Sequence, residues 1–111
     1  NHFWAGDVNI ALVHPDNTGI YLLTAVGGSA EYSKSYPIIF DDSSPNDAAT
    51  LAGSNPLCGN VNGCSVNPEG VAMLSTFDGK ATNGTWAVCF YDTYASLDHG
   101  VIDSASITIG Y

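Results

Sequence analysis

The sequence of 111 residues predicts an all-β fold, an antiparallel sandwich or jelly roll with almost no helix, and three features carry that prediction. Apolar and polar residues alternate with period two, which suits strands that bury one face and wet the other. Clusters of Pro, Gly, Asn and Asp punctuate the alternating runs, as turns require. Helical periodicity is nearly absent. Several short strands joined by such turns point to a sandwich or jelly roll.

The elements follow in order. Asp7–Val13 sets Val8, Ile10 and Leu12 on one face. His14-Pro15-Asp16-Asn17-Thr18-Gly19 is turn chemistry, with Pro fixing φ and Gly permitting a positive φ. Ile20–Ala25, IYLLTA, is apolar on both faces and reads as a central strand ended by Gly27-Gly28. Pro37–Phe40 is a short strand. Asp41–Asn67, rich in Asp, Ser, Asn, Pro and Gly, reads as a long excursion with one helical turn at Asp47–Leu51. Thr85–Tyr91 groups Trp86, Val88 and Phe90 on one face. In the closing strand Ala105, Ile107 and Ile109 alternate with Ser104, Ser106 and Thr108. The expected core holds Val8, Ile10, Leu12, Leu22, Trp86, Val88, Phe90, Ile107 and Ile109. With neither internal repeat nor interdomain linker, residues 1–111 read as one domain.

Composition narrows the function. Eleven acids stand against two bases, Lys34 and Lys80, for a formal charge of −9. Nucleic-acid binding needs phosphate-neutralising cations, and an anionic membrane repels such a chain. No apolar run approaches the roughly 20 residues of a membrane span. No basic-then-apolar signal peptide opens the chain, as in a mature or excised form. Cys58 and Cys64 sit in a Gly/Asn-rich loop and read as a local disulfide, hence an oxidising, extracellular setting. The odd cysteine count leaves other pairings open, and Cys89 reads as a buried free thiol.

Two distant segments carry a resemblance. The first is His2-Phe3-Trp4-Ala5-Gly6-Asp7-Val8, continuing through Ile10, Leu12, Pro15 and Gly19. The second is Phe77-Asp78-Gly79 and Asn83-Gly84-Thr85-Trp86, then Asp92, Asp98 and Gly100. Phe40-Asp41-Asp42 and Pro68-Glu69-Gly70 fit between them. Together they resemble the P domain (Homo B domain) of subtilisin-like proprotein convertases, bacterial type. The resemblance implies a non-catalytic jelly roll that stabilises or positions a neighbouring domain, the serine protease triad lying elsewhere. The Cys58–Cys64 loop departs from the family pattern. Family members also carry a strand or two before the His-aromatic-Gly-Asp segment. The resemblance therefore implies either a fragment or a jelly roll lacking its first strand, its edge covered by another copy or another segment.

No nucleophile elbow, zinc-protease helix or Cys-x-x-Cys motif supports catalysis. Asn83-Gly84-Thr85 is a glycosylation sequon and equally a tight turn. Calcium is the leading ligand expectation, since it takes about six to eight oxygen ligands. Asp7, Asp41, Asp42 and Asp92 fall at strand ends that could meet at one rim, and P domains of bacterial type hold calcium near such acids. The competing reading is that these residues cap turns. Three function classes follow: an accessory domain of a secreted protein, a self-assembling filament or surface-layer subunit using strand donation, and a carbohydrate-binding module using Trp4, Tyr32, Tyr36 and Tyr94.

Overall fold

The computed structural model describes residues 4–51, 55–59, 64–70, 73–94 and 100–110. His2, Phe3, Asp98 and His99 lie outside the described residues. The described part is all-β, with short 3-10 turns and no α-helix.

Strand β1, Val8–Val13, lies at the centre of a three-stranded antiparallel sheet. β2, Gly19–Thr24, pairs on one side and β5, Ala87–Asp92, on the other. The register sets Ile10 opposite Phe90 and Leu12 opposite Val88. Because side chains alternate across a strand, these residues share one face with Val8. Ala11 meets Cys89 and Tyr21 on the other face. The connection from β1 to β2 is a tight turn in which the Thr18 carbonyl accepts from the His14 amide at 2.8 Å. Asn17 takes φ 71° there, a left-handed conformation that asparagine tolerates well.

The apolar IYLLTA run is an edge strand, not a central one. A β-bulge explains its pattern. The register steps from Ile10↔Leu23 to Ala11↔Tyr21, leaving Leu22 as the extra residue. The extra residue shifts the alternation, so Leu22 and Leu23 are both buried while Tyr21 stays exposed. The Leu22 carbonyl accepts instead from the Glu69 amide at 3.0 Å.

β3, Ile38–Phe40, and β4, Cys64–Val66, form a second, parallel sheet. The antiparallel expectation fails here, and β4 lies inside the segment read as a loop over 41–67. A parallel pair needs a long crossover, and residues 41–63 supply it. The expected helical turn is present as a 3-10 turn, Ala48–Thr50, with the Asp47 carboxylate accepting from the Ala49 amide at 2.8 Å. The Cys58–Cys64 disulfide is formed, and Cys89 is a free thiol, half-buried. Both sheets pack on one core in which Val8, Ile10, Leu12, Leu22 and Leu23 meet Ala48 and Val66.

The other expected core residues are less covered. Trp86, Val88 and Ile109 are half-buried, and Phe90 is exposed. Val101–Gly110 forms no strand, and Ile107 is 42 % exposed. The physical reason is shared by all five residues: they border a groove that the second sheet leaves open.

Gly84, before β5, has φ 112°, and a Cβ there would lie 2.8 Å from Pro15 Cβ and Cγ. Neither the backbone region nor the space admits a side chain. Gly84→Ala is therefore expected to cost about 2–4 kcal/mol, read as a lower urea midpoint at unchanged slope. An unchanged midpoint would show that this turn is not held against Pro15.

Candidate functional site

An open groove of about 1410 Å3 lies over one face of the three-stranded sheet. Its floor is the apolar face of the three-stranded sheet, with Val8, Ile10, Leu12, Leu22, Val88 and Phe90. One wall is the segment from Tyr32 through β3 to Asp42, and another is the strap Gly100–Gly110. Leu74, Phe77 and Trp86 close one end. The rim is charged. Asp41, Asp42, Asp78, Asp92 and Asp103 border the groove, as do both lysines of the chain, Lys34 and Lys80.

A buried histidine fixes the Trp86 end. His14 Nδ1 accepts from the Asp16 amide at 3.0 Å. Nε2 therefore carries the ring hydrogen and donates to the Ala81 carbonyl at 2.7 Å. The His14 ring meets Trp86 edge-on at 4.7 Å, and Trp86 meets Phe77 edge-on at 5.3 Å. Trp86 Nε1 donates to the Thr82 carbonyl at 3.1 Å. Lys80 Nζ donates to Asp16 Oδ2 at 2.7 Å and pins the β1–β2 turn to the same segment. Lys80 holds the Asp16 carboxyl well below the usual carboxylate range, helped by Thr18. Sequence reading of His14 as a residue before a turn proline missed this role, because its partner carbonyl lies far along the chain.

The expected calcium acids divide between two places. Asp41 and Asp42 follow β3, and Asp7 and Asp92 stand at the β1–β5 end, where Val8 pairs with Asp92. Asp41 Oδ1 accepts from the Ser43 amide and hydroxyl at 2.8 and 2.7 Å, which lowers its pKa. Asp42 grips the 3-10 turn Leu74–Phe77, its two oxygens accepting from the Leu74 and Ser75 amides at 2.7 Å each. Asp92 Oδ1 accepts from the Tyr94 amide at 2.8 Å. The Asp7 carbonyl accepts from the Thr93 amide and hydroxyl. Among the described residues, no three His, Cys, Asp or Glu side chains gather in one place.

The aromatic set expected for sugar binding is also divided. Tyr32 and Tyr36 border the groove, whereas Trp4 and Tyr94 are exposed away from it. Tyr32 packs against the core, and its hydroxyl is closed off without a hydrogen-bond partner. Burial, and then the charge of Glu69, push the Tyr32 phenol up. The Glu69 carboxylate accepts from the Thr24 amide at 2.5 Å and hydroxyl at 2.9 Å, tying the segment after β4 to the end of β2. No helix among the described residues is long and apolar enough to cross a membrane.

No protein-family model, curated protein or solved structure matches the chain.

Two expectations follow. Asp42→Ala removes two charge-assisted hydrogen bonds and should cost about 1–3 kcal/mol. The loss should be equal in calcium, magnesium and chelator at matched ionic strength. A loss confined to calcium buffer would make Asp42 a ligand instead. The second concerns acid. A depressed carboxyl pKa contributes stability that is fully present above the ordinary Asp value of about 4 and is lost as pH falls through the folded value. Asp16→Asn and Lys80→Met should therefore each flatten the acid limb of stability below about pH 4, followed by urea midpoints. An acid limb as steep as in the native chain would show that the pair contributes nothing.

Proposed function

We propose that this chain is a non-catalytic, extracellular module of the P-domain type, a jelly roll that stabilises or positions a neighbouring protein domain by taking an extended segment into its groove. The groove carries the reading. Its floor is apolar, and its rim holds five aspartates and two lysines. An apolar floor favours residues that face inward at every second position of an extended partner. A net acidic rim on a chain of charge −9 favours basic residues flanking them. The occupant is therefore an extended segment of another domain, apolar at alternate positions and basic at its flanks.

Other observations agree. The disulfide suits an oxidising compartment. Asp7 ends the 3-10 turn that precedes β1, Gly84 turns the chain into β5, and Trp86 packs against Phe77 and His14, so residues of the family-like motifs occupy structural positions. The rim carboxylates Asp41, Asp42 and Asp92 accept hydrogen bonds from nearby amides, which is structural work.

The test uses a synthetic peptide in which isoleucine and threonine alternate between terminal lysines. Titrated against the full chain, it should bind saturably. Val88→Asp, a change on the groove floor, should weaken binding at least about tenfold, since a charge replaces an apolar contact. Absence of saturable binding, or equal binding by the variant, overturns the docking reading. Hydrolysis of peptide, ester or glycoside substrates by the homogeneous chain, lost on a point substitution, overturns the non-catalytic one.

A further inference from the structure

The strap is the one wall of the groove whose sequence pattern contradicts its surroundings. Ser104–Ile109 alternates small or apolar residues, Ala105, Ile107 and Ile109, with the polar Ser104, Ser106 and Thr108. That is the pattern of a strand with one buried face. Yet Val101 is 66 %, Ile102 56 % and Ile107 42 % exposed. Exposed branched aliphatic residues beside the less covered part of the floor, half-buried Val88 and exposed Phe90, are unfavourable when a shorter separation would bury both.

The space and the edges suit a strand. Ser104–Ile109 matches β1 in length, six residues, and so spans the floor from end to end. The strand orders β2-β1-β5 and β3-β4 leave one edge of β5 and one edge of β3 open among the described strands. Both strands border the groove, so either edge can receive a new ladder.

We propose that Val101–Gly110 is a latent strand that closes over the groove of its own chain, turning Ala105, Ile107 and Ile109 onto the floor, and that an incoming segment must displace it. The closure stands on the strap and groove alone. The displacement rests on the protein-docking reading above. The strap carries Asp103, already one of the rim acids, and no Lys or Arg, so closing it brings no cation to an acidic rim. A basic-flanked segment has the complementary charge. The strap is thus a competitor that yields to the right partner, and it lowers the apparent affinity in proportion to the closed fraction.

The test is amide hydrogen exchange on the full chain. Residues 104–109 should exchange at least about tenfold more slowly than an unstructured segment. The paired change Ile107→Asp with Ile109→Asp should abolish that protection. Ser106→Asp with Thr108→Asp adds the same charge at the outward parity and should leave it intact. The inward pair should also bind the alternating peptide several-fold more tightly than the native chain, and the outward pair should match the native chain. Far-ultraviolet circular dichroism unchanged in both pairs confirms that the sheets persist.

Unprotected amides in the native chain, or equal effects of the inward and outward pairs, overturn the closure. Protection that appears only as chain concentration rises means exchange of straps between copies and overturns closure within one chain. Peptide binding that the inward pair does not tighten overturns the competition. Peptide that binds no variant, with strap protection intact, removes the docking reading and leaves the closure standing.

Discussion

Everything in this molecule depends on covering one apolar sheet face. β1 is flanked on both sides, so its backbone is satisfied, and its inward residues Val8, Ile10 and Leu12 must be buried against something. Each Å2 of apolar surface removed from water contributes about 25 cal/mol, so a half-covered sheet is a standing driving force for contact. Among the described residues the second sheet is narrow, β3 and β4; its Val66 and Ala48 of the 3-10 turn Ala48–Thr50 cover the β2 side. The β5 side, with Val88 and Phe90, is left facing the groove.

What holds the partial cover in place is polar. The bulge in β2 frees the Leu22 carbonyl from the ladder, and the Glu69 amide takes it. The same residue sends its carboxylate to Thr24. One glutamate thus clamps the chain leaving β4 to two points of β2. The disulfide adds a covalent link between β4 and the crossover. At the far end, His14 and Lys80 bind the β1–β2 turn to the segment that carries Phe77 and Trp86. These contacts join residues distant in sequence, so they lock the relation between segments and not only local turns.

The positions of β1, β2, β3 and β5 were legible in the sequence because each has a short-range signature: alternation, a flanking turn dipeptide, or both. β4 was not, since Cys64–Val66 is three residues long inside a Gly/Asn-rich stretch and pairs in parallel with a strand far earlier in the chain. No local pattern encodes that partner. The two leucines of β2 suggested a central strand, but a bulge produces the same run at an edge. The disulfide was legible from loop composition and spacing. Spacing could not say which backbone groups Asp41, Asp42 and Asp92 contact, since a carboxylate at a strand end has several amides within reach. The geometry shows amide contacts at all three.

The strap poses the sharpest conflict between pattern and placement, and the conflict has a physical resolution. A sequence that alternates as Ser104–Ile109 does is written for two environments at once, one apolar and one wet. In the described arrangement Ile107 has largely the wet one. The apolar one lies across the groove, within the same molecule. A deeply buried closing strand would have completed the sandwich and left no groove. A strap with polar residues at every position would have offered Val88 and Phe90 no apolar partner. The alternating strap beside an acidic rim lies between these limits.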